Sequence, residues 1–144
     1  MGDLETRYAR GGDMLTFELP ANGNAPGLAR ACLRASLVLD AETAADLELL
    51  LSEVVSNAVK HAGMAPTEDI VVRIQPDEAI HVEVLDSGTG FNPVRNPTTR
   101  SPRGWGLSLL DRLARDWRVE RDGERTKVWF EIARRGREAR ASAA

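Results

Sequence analysis

Glu53, Asn57 and His61 fall at i, i+4 and i+8 of a stretch, Ala41 to Ala62, that holds neither glycine nor proline. On a helix the three share one face. A carboxylate one turn from a neutral amide can position a hydroxyl or a water beside a metal-bound phosphate. Taken singly, Glu53 and His61 read as polar residues on a solvated flank. Asn57 fits that reading less well, because a short amide beside an apolar stripe wants a specific partner. Downstream, Asp86-Ser87-Gly88-Thr89-Gly90 follows an apolar run whose end delivers a carboxylate. Two glycines there let the backbone approach a flat ligand closely, although Asp-x-Gly-x-Gly alone is an ordinary turn signal. Arg103-Gly104-Trp105-Gly106 precedes a return of helical spacing. Glycines at a helix start expose N–H groups, which with an arginine make an anion site; the plainer reading is a flexible junction. At 103–106 no Lys-Ser/Thr pair follows as in a Walker loop and no parallel strand precedes as in a dinucleotide fingerprint, while the Asp86 loop lacks the spaced ligands of a calcium loop.

Elements must hold these residues in place. Leu15, Phe17 and Leu19 alternate, which predicts a half-buried strand from Met14 that Pro20 ends. Asn24 as cap and Pro26 in the first turn predict a helix over 25–38. Asp40 is the expected N-cap of the long helix 41–62, with Gly63 placed for a C-terminal cap. Its stripe is Leu47, Leu51, Val54, Ala58 and Ala62, widened by Leu50 and Val55. Ile70–Ile74 and Ile80–Leu85 flank Pro76-Asp77-Glu78 as a hairpin, and Trp117–Val119 and Val128–Ile132 flank Asp122-Gly123 as another. Between them, residues 91–103 read as a long loop and Gly106–Leu113 as a short helix. Residues 1–13 are expected to be loose, 14–133 to form one domain, and the Arg- and Ala-rich 134–144 to be a disordered tail.

Composition narrows the class. A chain of 144 residues with 42% apolar and 28% charged content is a globular domain able to bury a core. No apolar run reaches the roughly 18 residues of a membrane helix. The start Met1-Gly2-Asp3-Leu4-Glu5 lacks the pattern of a signal peptide, and Cys32 is the single cysteine. A cytoplasmic protein is expected. The net charge of −3 conceals an asymmetry: residues 1–90 carry 15 acids and 6 bases, residues 91–144 carry 7 acids and 13 bases. That is either two solvated faces or a basic half turned to phosphates or an acidic partner. Aromatics are 5% and no recognition-helix pattern appears, so direct nucleic-acid binding is not expected.

The order of these pieces carries a resemblance. Ser52-Glu53-Val54-Val55-Ser56-Asn57-Ala58-Val59-Lys60-His61 resembles the N box of the GHKL superfamily, shared by gyrase, MutL and histidine kinases. Asp86-Ser87-Gly88-Thr89-Gly90-Phe91 resembles its first glycine box, and Arg103-Gly104-Trp105-Gly106-Leu107 its second, with Trp105 bulkier than the residue usual there. Length and spacing are similar to the anti-sigma-factor serine kinases of bacterial partner-switching systems, over roughly residues 14–133. The resemblance implies an α+β fold: a two-layer α/β sandwich of the Bergerat type, with a mixed, mostly antiparallel sheet covered by helices on one face.

It also implies cofactors and roles. ATP and Mg²⁺ would be bound, with Asn57 holding the metal and Asp86 accepting the adenine amino group. Gly88 and Gly90 would pass the base, Gly104 and Gly106, with Leu107, would hold phosphates beneath a lid at 91–103, and Arg103 or Arg100 would reach the terminal phosphate. Thr126 matches a threonine near adenine, His61 closes the N box, and Glu53 would be the general base. The implied protein is an anti-sigma factor and serine kinase, with an anti-anti-sigma factor as substrate, a sigma factor as second partner, and a homodimer built around the N-terminal strand. The other expectation is a catalytically silent nucleotide-binding module that sequesters a partner.

Overall fold

The computed structural model describes residues 7–11, 14–61, 69–86, 108–122 and 125–134. Alternation builds the sheet, as expected: β2 (Met14–Pro20), β3 (Asp69–Pro76), β4 (Ala79–Asp86), β5 (Asp116–Asp122) and β6 (Arg125–Ala133) are strands. A further strand, β1 (Arg7–Gly11), lies in the segment expected to be loose and pairs with β2 from Arg7↔Glu18 to Gly11↔Met14. Edge pairing is made by backbone groups, so the polar sequence gave little sign of it. The strand order is β1-β2-β3-β4-β6-β5, and every pairing among the described residues is antiparallel.

Register turns one-residue alternation into two chemically distinct faces. Leu15, Ile74, Val82, Phe130 and Trp117 form one row across five strands, and Phe17, Val72, Val84, Val128 and Val119 the next. The helices α1 (Ala25–Ser36), α2 (Ala41–His61) and α3 (Ser108–Leu113) supply the rest of this core. Ala25, Ala29 and Leu33 come from α1, Leu47, Leu50, Leu51, Val54 and Val55 from α2, and Leu110 from α3. The opposite face carries Thr16, Arg73, Glu83, Trp129 and Arg118 in one row. There Arg118 lies over the Trp129 ring at 5.5 Å and His81 stacks on it at 6.1 Å. The result is the expected two-layer α+β sandwich, with its apolar side under the helices and a largely polar row on the other side.

The long helix begins as its sequence indicates. Asp40 Oδ2 accepts from the Thr43 N–H at 3.0 Å, and Asp40 Oδ1 from the Thr43 hydroxyl at 2.5 Å. That satisfies two groups, one of them on a side chain with no exposure at all. The start of α1 differs from expectation. Asn24 makes no side-chain cap; instead Asn22 accepts the Asn24 N–H on its side chain at 2.8 Å and the Ala25 N–H on its carbonyl at 3.0 Å. The same kind of short polar residue does the work two positions earlier because a turn, not an extended approach, leads into the helix. The helix ends at Ser36, two residues short of the expected boundary, as Leu37 turns extended.

Candidate functional site

Hydrophobic residues fill the space between the layers, so polar side chains found there need a reason. Among the described residues the buried polar ones are Thr43, Asn57, Asp86 and Thr126. Thr43 is accounted for by the Asp40 cap. The other three are the residues that the sequence motifs single out.

Asn57 sits on α2 with Val54, Val55 and Ala58 buried around it, and is only 7% exposed. Its Nδ2 is buried and has no hydrogen-bond partner. A free amide donor inside a protein is costly, and this one lies one turn after Glu53, which is half-buried. Asp86 ends β4 in phase with Ile80, Val82 and Val84, which places it on the helix-covered side. Its register partner is Thr126, near the start of β6 and in phase with Val128 and Phe130. A carboxylate and a hydroxyl, 8% and 3% exposed, therefore lie side by side on two adjacent strands. The helix carrying Asn57 packs against both strands.

The turn of α2 before Glu53 is clamped to α1. Arg30 Nη1 donates to Ser52 Oγ at 2.8 Å, and Ser52 Oγ donates to the Glu48 carbonyl at 2.7 Å. Arg34 grips the Glu48 carboxylate with Nε and Nη2, the shortest contact being 2.7 Å. That hydrogen bond is the main reason the Glu48 carboxyl is held below its ordinary range. Spacing within one helix cannot reveal a bond between residues 14 apart on two helices, and this clamp was not foreseen.

Of the remaining expected site residues, His61 is the last residue of α2, and its side chain lies outside the described residues. Gly88, Gly90, Arg100, Arg103, Gly104, Gly106 and Leu107 also lie outside them.

The described residues fit Mg²⁺ and an adenine nucleotide. A carboxamide oxygen is a hard ligand of the kind Mg²⁺ accepts, and Mg²⁺ commonly takes few protein ligands and completes its shell with phosphates and water. The unpaired Asn57 Nδ2 calls for an acceptor such as a phosphate oxygen. A carboxylate at a strand end is the acceptor an exocyclic amino group needs.

The fold is a two-layer α+β sandwich with an antiparallel sheet. The sequence of residues 21–132 matches the histidine kinase-like ATPase domain, and the chain belongs to that family. This agrees with the GHKL resemblance of the motifs. No curated protein matches the chain. Among solved structures, it is similar to the RsbU and RsbW domains of Rv1364c from Mycobacterium tuberculosis, at 26% identity over 83% of this chain, with a TM-score of 0.63. It is also similar in fold to the blue-light activated histidine kinase EL346 of Erythrobacter litoralis, at 22% identity over 84% of this chain, with a TM-score of 0.54. The chain spans 32% and 44% of those two chains. Among the described residues no helix is long and apolar enough to cross a membrane.

Proposed function

We propose that this chain binds ATP with Mg²⁺ and phosphorylates a serine of an anti-anti-sigma partner, and that it also holds a sigma factor. The observation that carries the nucleotide reading is the trio Asn57, Asp86 and Thr126, which with the capped Thr43 are the buried polar side chains among the described residues. The family fold and the likeness to a structure containing an RsbW domain support the kinase branch.

Asp86 accepts the adenine amino group, with Thr126 beside it on the next strand. Asn57 holds Mg²⁺ through its amide oxygen. Bound ATP with Mg²⁺ supplies the phosphoryl group and neutralises the charge of its transfer. Gly104 and Gly106 contribute backbone donors to the phosphates, with Arg103. Glu53, one turn before Asn57, takes the proton from the attacking serine hydroxyl as its oxygen bonds to the terminal phosphorus and ADP leaves. Little covalent work falls to the protein, so positioning dominates.

The test uses labelled ATP, Mg²⁺ and a cognate anti-anti-sigma protein. Wild-type chain should label a serine, and Glu53→Ala should bind ATP normally while transfer falls by about 10²- to 10⁴-fold. Nucleotide binding with no labelling by the wild type would replace the kinase with a nucleotide-loaded sequestering module. Equal labelling by Glu53→Ala would remove Glu53 as base.

A further inference from the structure

Serine is a weaker helix former than alanine, so one in the middle of α2 calls for a reason. Ser52 is half-buried and has two partners. Its hydroxyl donates to the Glu48 carbonyl of the turn before at 2.7 Å and accepts from Arg30 Nη1 of α1 at 2.8 Å. One turn away on each helix, Arg34 holds the Glu48 carboxylate, which makes a ladder of two rungs between α1 and α2. The rungs differ. Arg34 is exposed, and an ion pair at the surface fixes little. The Arg30 bond is part-buried and directional. The apolar stripe of α2 packs on the sheet with no preferred direction of its own. A bond of defined length to α1 sets where along that packing the helix stops and how it is rotated.

The residue after Ser52 is Glu53. Asn57 is enclosed, with Val54, Val55 and Ala58 buried around it. Glu53 is only half-buried, so its aim follows the placement of the helix turn that carries it. We infer that Arg30 and Ser52 are positioning residues for phosphotransfer: their bond fixes the turn of α2 that presents Glu53. This rests on the reading of Glu53 as the base. Neither residue touches the nucleotide or the attacking hydroxyl in this scheme, and both act through Glu53. Nucleotide binding, which falls to Asn57, Asp86 and Thr126, does not depend on the bond.

The test separates binding from transfer. Ser52→Ala removes the acceptor, Arg30→Met keeps the stem and removes the donor, and Ser52→Thr keeps a hydroxyl able to make both bonds. On the full chain, calorimetry reads the Kd for ATP with Mg²⁺, and circular dichroism confirms the fold of each variant. Transfer from labelled ATP to the cognate anti-anti-sigma protein gives kcat and KM. Ser52→Ala and Arg30→Met should each lower kcat about tenfold, with the Kd for ATP and the KM for the partner within about twofold of wild type. Ser52→Thr should stay within about threefold of wild type in kcat. The double variant should lose no more than either single one, as expected for two ends of one bond. In a Glu53→Ala background, Ser52→Ala should cost nothing further, because the residue it positions is gone. A tenfold loss in both backgrounds would mean that the bond serves the helix as a whole and would overturn the inference. So would unchanged kcat in both single variants, or a parallel loss of ATP affinity. A wild-type chain that binds ATP and labels no partner would overturn the kinase reading, and one that binds no ATP the nucleotide reading; either would remove this inference with it.

Discussion

Replacing Asn57 by Leu separates what the residue does for folding from what it does for a ligand. Asn57 is 7% exposed, and its Nδ2 has no partner. An unsatisfied buried polar group costs about 1–3 kcal/mol. Leucine has nearly the same branched shape, carries no donor, and adds apolar burial beside Val54 and Ala58. The ligand-free Asn57→Leu protein should therefore be more stable than wild type, by about 1–2 kcal/mol. For a chain of this size that is a rise in Tm of roughly 3–6 °C. Nucleotide should reverse the order. At a hundredfold excess over its Kd, ATP with Mg²⁺ stabilises wild type by about 2.7 kcal/mol, and should do nothing for the variant. Thermal unfolding followed by circular dichroism, with and without ATP and Mg²⁺, reads both effects. A variant that melts well below wild type without ligand would show that the amide serves the fold. A variant that ATP stabilises as it does wild type would show that it does not serve the site.

Other perturbations have defined outcomes. Asp40→Ala removes the α2 cap and the bond from the fully buried Thr43 hydroxyl to it, so it should destabilise by about 1–2 kcal/mol in urea unfolding; a loss below about 0.5 kcal/mol would contradict this. Leu110→Ala, at the core anchor of α3, should cost about 2–5 kcal/mol by the same assay. Because Arg34 holds the Glu48 carboxyl below its ordinary range, the pair's small contribution is complete above that range and disappears as pH falls through the lowered folded-state value. Arg34→Ala should thus narrow the gap to wild type on going to acid, and a gap that widens there would refute the sign. Burial raises the Cys32 thiol, which should react with a thiol reagent at pH 8 more slowly in the folded chain than in urea; equal rates would show that burial does not protect it.

Much of the fold was legible because its signals are local. The Asp40 cap, the apolar stripe of α2 and the alternation of β2, β3 and β4 each lie within one element, where period and burial match. Asp86 and Thr126 were legible only as motif positions; the pairing that brings them together is made by strands forty residues apart in sequence. The misses are pairings that leave no period. β1 is held by backbone bonds to β2, Arg34 meets Glu48 across two helices, and Trp117 reaches Asp111 around the turn after α3. The cap at Asn22 was missed for a different reason, since Asn24 offers the same chemistry and only the turn geometry decides between them.

The central claim is that Asn57 and Asp86 build a nucleotide site. Calorimetric titration of ATP in Mg²⁺ into wild type, Asn57→Leu and Asp86→Asn tests it most directly. Saturable one-to-one binding by wild type, lost or strongly weakened in both variants although both remain folded, is the predicted result. No binding by wild type, or binding that both variants retain in full, would contradict it.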